Sequence, residues 1–150
     1  MNKHEEPIDR IARSCIAVRV RLLNRVITNL YDEALRPLGL KVSQVNILVV
    51  AGKLGVARPA QVCELLNLDA STLSRNVERM VAKDWLEIVP DDEDGRSQPF
   101  RLTSKGRKLL ERAVPAWEEG QKQAAALLGE SGVEMLHKIT RQLGMAPKTA

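Results

Sequence analysis

With 150 residues, 44% of them hydrophobic, and a formal charge of +4, the chain has enough apolar material for one buried core and a mild bias toward anionic partners. It holds only one Phe, one Tyr and two Trp, so that core must be built from Leu, Val, Ile and Ala, which favours helices. No stretch is long and apolar enough to span a membrane, and the N-terminus carries no signal-like segment, so a single-domain cytoplasmic protein is expected.

Met1 to Pro7 is polar and expected to fray. From Ile8 to about Leu35, Ile8, Ile11, Cys15, Val18, Leu22, Val26 and Leu30 recur at three- and four-residue intervals, with Leu23 and Ile27 broadening the stripe. This pattern predicts one long helix, too long for so small a chain unless it also packs on a partner subunit. Arg36-Pro37-Leu38-Gly39-Leu40 ends it, because Pro disfavours a helical residue before it and Gly offers an exit. Ser43 is the expected cap of the next segment, where Val45, Ile47, Leu48, Val49 and Val50 read as a strand or a buried helix. The cap and the neighbouring helices favour the helix. Gly52 and Gly55 bracket its end, and Val56 is placed to add one short strand to a later sheet.

Pro59 suits a first helical position and opens a helix to Leu66, with Val62, Leu65 and Leu66 on one apolar face. Asn67-Leu68 makes a tight connection, and Asp69 is set to cap a second helix over 70–83. There Leu73, Val77, Met80 and Val81 follow a buried stripe, leaving Ser71, Thr72, Ser74, Arg75, Glu78 and Arg79 outside. Short hydroxyl side chains and a guanidinium near a helix N-terminus suit a major groove, although an ordinary solvated face has the same composition. A strand over 85–89 follows, with Leu86 and Ile88 on one side. Pro99–Leu102 is its return partner, and Asp94-Gly95 signals the turn between them. Two helices, a tight turn and a hairpin make a winged helix-turn-helix. The helix over 70–83 would read the major groove, and the wing over 90–98 would carry Arg96 to the minor groove. Arg96 has a second role open to it, as a staple to Asp92 or Asp94.

Charge weighs against simple attraction to DNA. Residues 70–101 hold five basic against seven acidic side chains, a net charge of −2. Arg10, Arg13, Arg19, Arg21 and Arg25 are concentrated in the first helix, with Lys41, Lys53 and Arg58 flanking the motif, so binding requires selected arginines to face phosphates.

After the hairpin, Thr103 caps a helix from Ser104 that continues through Leu109, Leu110, Ala113, Val114 and Trp117 to Leu128, with a bend expected at Pro115. Ala124-Ala125-Ala126 permits close helix contact, Gly129 interrupts, and Glu130 or Ser131 starts a last helix with Val133, Leu136, Ile139 and Leu143 on one face. Residues 146–150 read as disordered. The fold class is therefore mainly α with a small β wing. One domain over 1–150 has a winged helix-turn-helix lobe at 43–102 and dimerisation helices at 8–36 and 104–144. A homodimer would set two reading helices about 34 Å apart on a pseudo-palindromic double-stranded DNA site; a monomer with its last helices folded back is the alternative.

Three pieces, in order, resemble the MarR family of transcriptional regulators. They are Leu35-Arg36-Pro37-Leu38-Gly39-Leu40 with Ser43-Gln44; Leu68-Asp69-Ala70-Ser71-Thr72-Leu73-Ser74-Arg75; and Asp92-Glu93-Asp94-Gly95-Arg96 leading to Arg101-Leu102-Thr103-Ser104-Lys105-Gly106. The resemblance spans roughly residues 8–143. It implies an obligate dimer, a DNA-reading helix and wing, and usually repression relieved by a small molecule or an oxidant. The family wing commonly runs acid–x–basic–acid–x–Arg; Asp92, Asp94 and Arg96 fit as wing-stabilising and DNA-contacting positions, whereas Glu93 replaces the usual basic residue. Some peroxide-sensing members place a reactive Cys near the start of the first helix, which makes Cys15 the candidate redox residue. The tyrosines that assist such a thiol are reduced here to Tyr31. Cys15 and Cys63 otherwise read as small buried hydrophobes. A small aromatic or phenolic effector, held between the dimer helices and the DNA-binding lobe, is the other control the resemblance implies.

Nothing supports an enzyme or a cofactor. His4 lies in the tail, the Glu134/His137 pair alone does not make a zinc site, and the acids at 91–94 lack calcium-loop spacing. The remaining rival is a winged-helix module that binds protein instead of DNA, which the net-negative reading head would favour.

Overall fold

Leu35, Ile47, Leu48, Ala51, Val62, Met80 and Phe100 are completely shielded from solvent and come from five different elements. Each of these side chains larger than Ala51 contributes about 1.5–3 kcal/mol on burial, so this cluster is what joins the lobe. The computed structural model describes residues 6–91 and 96–144. It runs α1 (Pro7–Ser14), α2 (Ile16–Leu35), a 3-10 turn (Arg36–Leu38), α3 (Val42–Leu54), α4 (Pro59–Leu66), α5 (Ala70–Ala82), β1 (Leu86–Ile88), β2 (Phe100–Leu102) and α6 (Ser104–Gln142). The architecture is mainly helical with a small antiparallel wing, as the sequence predicts. The readings placed on Met1–Glu5, including His4, on Asp92–Gly95 and on 146–150 lie outside the described residues.

The expected single N-terminal helix is two. Cys15 adopts an extended backbone (φ −65°, ψ 109°) between α1 and α2. No Pro or Gly causes the break; Arg19 compensates it from the next turn. Its guanidinium donates to the Cys15 carbonyl at 3.0 Å and to the Arg13 carbonyl, bridging the junction to the end of α1. Cys15 is therefore at a junction and half-buried, not on a continuous stripe.

The segment over 42–54 is the buried helix and not a strand. Its cap differs from the expected Ser43, which lies one residue inside the helix. The Val42 N–H instead donates to Asp32 Oδ1 of α2 at 2.8 Å, and the Lys41 N–H donates to Gln44 Oε1 at 3.1 Å. A carboxylate at this end also suits the helix dipole. Gly39 takes the left-handed conformation (φ 67°) that lets the chain turn between α2 and α3.

In the wing, Leu86 pairs with Leu102, Glu87 with Arg101 and Ile88 with Phe100. The third contribution comes from Ala57, not Val56: its N–H donates to the Phe100 carbonyl at 2.8 Å, and its carbonyl accepts from the Phe100 N–H at 3.0 Å. Ala57 is buried and Val56 exposed, as a one-residue shift in strand register requires. Leu65 and Ile88, expected on buried faces, are exposed. Ile88 is the last residue of β1, at the wing end of the strand.

Thr103 anchors α6 at the root of the wing. Its Oγ1 accepts from Gly106 N–H at 3.0 Å and donates to the carbonyls of Asp84 and Trp85 at 2.7 and 3.1 Å. The helix passes through Pro115 and departs from helical backbone at Gly129 (φ 71°, ψ 166°), where the sequence sets the interruption. It packs along α2. Gly120 permits this approach, since a β-carbon there would meet Tyr31 Cδ1 at 2.7 Å and Tyr31 Cα at 3.0 Å. The Tyr31 hydroxyl donates to Gln121, and the Tyr31 and Trp117 rings lie 6.5 Å apart.

Ile8, Ile11, Ile16, Val18, Val20, Leu22 and Val26 on the N-terminal helices remain exposed, as do Leu127 before the Gly129 break of α6, Met135 and Ile139 after it, and Leu143 just past the helix end. These side chains greatly exceed the scattered apolar surface of an ordinary helix face. Among the described residues, no single helix is long and apolar enough to cross a membrane.

Candidate nucleic-acid interface

The outer face of α5 is organised by Asp69. Its carboxylate accepts from Thr72 N–H at 2.7 Å, Ser71 Oγ at 2.7 Å and Thr72 Oγ1 at 2.8 Å. These donors, the Ser71 hydroxyl foremost, bring its pKa down to about 2. Ser71 and Thr72 thus commit their hydroxyl protons to the cap and have acceptor lone pairs left to offer outward. Asn76 reinforces the first turns by donating to the Thr72 carbonyl at 3.0 Å.

Leu73, Val77 and Met80 bury the inner stripe, while Ser74, Arg75, Glu78 and Arg79 remain exposed. Ser74 Oγ is 3.4 Å from Glu78 Oε1, a long contact that leaves the hydroxyl close to open. Arg75 and Arg79 are therefore the exposed cationic donors on this helix. Lys83, at its end, is drawn over the Trp85 ring at 4.6 Å and stays with the wing sheet.

The wing shares a cavity with α5: a space of about 670 Å³ is lined by Arg96, Ser97 and Gln98 and by Ser74, Val77 and Glu78 of α5. Arg96 is exposed. Asp92 and Asp94, the expected wing stabilisers, lie outside the described residues. Two other pairs define the wing: Glu87 Oε1 accepts from Arg101 Nε at 2.6 Å across the strands, and Asp91 Oδ2 accepts from Arg58 at 2.6 Å. Each matches an acid of this stretch with a cation. Asp91 is matched by a cation from outside 70–101, so the −2 balance of that stretch overstates the negative field.

Sequence reasoning missed Asp32, and it gave Asp91, Arg58, Gln44 and Gly106 none of the roles they have here. Gly106 alone carried a local signal, as a Gly in the first turn of a helix. The others act through partners in distant elements or through hydrogen bonds that composition does not display. Cys63 is half-buried against the core, as read. Among the described residues, no three His, Cys, Asp or Glu side chains converge as metal ligands.

The model of the MarR family matches residues 38–97, which cover the stretch from the α2–α3 turn to the wing. The chain is 27% identical over 92 residues to the multiple antibiotic resistance protein MarR of Escherichia coli, a match over 61% of this chain that spans only 64% of that protein's length. A crystal structure of a cysteine-to-serine variant of E. coli MarR complexed with operator DNA superposes with a TM-score of 0.78 at 21% identity, covering 93% of this chain and 99% of the other. The M. tuberculosis transcriptional regulator MOSR, crystallised in complex with DNA, superposes with a TM-score of 0.74 at 29% identity, covering 86% and 93%.

Proposed function

We propose that this chain belongs to the MarR family and is a non-enzymatic, sequence-specific regulator of transcription that binds double-stranded DNA as a homodimer. The observation that carries the reading is the exposure of Arg75 and Arg79 on α5, a helix whose Ser74 and Glu78 share a cavity with Arg96 of the wing. Residues 70–83 enter the major groove, where Arg75 and Arg79 read bases or clamp phosphate. Ser71, Thr72 and Ser74 allow close approach, and the wing over 90–98 carries Arg96 to the minor groove. Asp92 and Asp94 hold the wing.

Residues 43–102 form the DNA-binding lobe, and 8–36 with 104–144 supply the dimer helices. The exposed apolar side chains of α1, α2 and the last arm of α6 support that division. Two-fold symmetry then implies a pseudo-palindromic operator. The protein represses from that operator and is released by a small aromatic or phenolic effector. A cavity of about 160 Å³ between α3 and α6, lined by Val45, Val49, Leu110, Ala113, Val114 and Trp117, supports an effector site between the lobe and the dimer helices.

Binding to DNA upstream of its own gene, across a salt series with excess non-specific competitor, tests the reading. A complex that survives competitor at two protomers per duplex is expected, and Arg96→Ala should weaken it by about 1–3 kcal/mol with the dimer intact. Failure on that DNA and across random-sequence selection would favour a protein-binding winged helix.

A second reading, a thiol-based switch, is favoured by the position of Cys15 at the α1–α2 break, where a modified side chain would act on two helices at once. Peroxide should then lower DNA affinity in the wild type and not in Cys15→Ser; equal affinity in both, with the thiol oxidised, rejects it.

A further inference from the structure

Arg58 and Asp91 are separated by 33 residues and joined at 2.6 Å. Arg58 is the residue before α4, with an extended backbone (φ −91°, ψ 132°), and its carbonyl accepts the Val62 N–H at 3.0 Å. The preceding residue, Ala57, is fastened to Phe100 of β2 by two backbone hydrogen bonds. Arg58 therefore projects from a point rigidly attached to both the first helix of the motif and the wing sheet. Asp91 stands at the opposite end of the wing root, two residues past Val89, whose N–H donates to Pro99 at 2.8 Å. Its side chain is only 7% exposed, whereas that of Arg58 is 49% exposed. A carboxylate so withdrawn from water depends on a cation and hydrogen bonds to remain charged.

We infer that the Arg58–Asp91 ion pair is the tether that sets the wing's pose against α4 and α5, making both residues positioning residues for DNA binding. The inference rests on the DNA-binding reading above. It has a counterintuitive consequence: Asp91, an acid on a face that meets a polyanion, strengthens binding. An acid acting only through its charge would weaken it.

The test uses the full-length dimer and an operator duplex selected from random-sequence DNA. Affinity and its salt slope are measured for wild type, Asp91→Asn, Arg58→Ala, the double variant, and the exchange Arg58→Asp with Asp91→Arg. Asp91→Asn should lose about tenfold in affinity despite removing a negative charge. Arg58→Ala should lose a similar factor with an unchanged salt slope, the double variant should lose no more than either, and the exchange should regain part of the loss. Unchanged or tighter binding by Asp91→Asn overturns the tether. So does a fall of about one in the slope for Arg58→Ala, which would put Arg58 on a phosphate. Should Asp91→Asn fail to fold, the exposed Arg58→Ala decides through its slope and the exchange through its rescue. A wild type for which selection yields no competitor-resistant duplex defeats the DNA-binding reading and the tether together; a binding wild type with indifferent variants defeats the tether alone.

Discussion

Gly106 lies so close to the carbonyl of Trp85 that a β-carbon on it would overlap the oxygen, and it would also stand 2.8 Å from Leu102 Cδ1. The first turn of α6 is thereby pressed against the root of the wing, with Thr103 bonding to both. Gly106→Ala must move helix or sheet backbone. It should cost about 1–3 kcal/mol, as overpacking of rigid groups does. Urea denaturation measures this, and a stability equal to wild type would show that α6 can shift freely.

The cap of α5 makes a pH prediction with a definite sign. The folded pKa of Asp69 lies at about 2, below its ordinary value of 3.8, chiefly through the Ser71 hydroxyl. Its contribution to stability is thus fully present above about pH 4 and is lost as pH falls through about 2. The group is exposed, so the effect is screened. Asp69→Ala should lower Tm near neutrality by a few degrees, on the order of 2–4 °C. Its difference from wild type should shrink steadily from pH 4 toward pH 2. A difference that stays constant would assign the loss to something other than the ionised cap.

The engagement of Ser71 by Asp69 separates two kinds of contribution on α5. Arg75→Ala should weaken operator binding by about 1–3 kcal/mol, with little effect on thermal stability. Ser71→Ala should lower Tm measurably and shift base preference little, because its hydroxyl proton is held within the cap. Parallel binding and melting curves for the two variants check this; the reverse pattern would give Ser71 the reading role.

Ile16 on α2 and Ile139 on α6 are both exposed in the single chain, at 75% and 44%. If partner helices cover them, Ile16→Glu combined with Ile139→Glu buries two uncompensated charges at the interface and should convert the dimer to monomer. Sedimentation reads the mass. A variant that remains dimeric would move the interface elsewhere.

Much of the fold was legible because its signals are local. Pro59 at the start of α4, Asp69 before α5, Thr103 before α6 and the stripe of Leu73, Val77 and Met80 each depend on neighbours within about one or two helical turns. The breaking of the last helix at Gly129 is of the same kind. The outward position of Arg75 and Arg79 follows from that stripe, so the candidate reading face was visible as well.

Tertiary structure decided what depends on distant partners or on choices between near-equal local arrangements. Asp32, not Ser43, satisfies the first N–H of α3 because the α2–α3 turn brings a carboxylate of the preceding helix to it. Ala57, not Val56, joins the wing because strand pairing alternates faces residue by residue and Phe100 sets the register. The N-terminal helix breaks at Cys15 although its apolar period continues through it, with the Arg19 guanidinium holding the Arg13 and Cys15 carbonyls across the junction. Arg58 and Asp91 meet only after the helix pair and the wing have folded together. Periodicity and capping determine where a segment becomes helix or strand. The pairing of charges across the chain is determined by the packing of those segments.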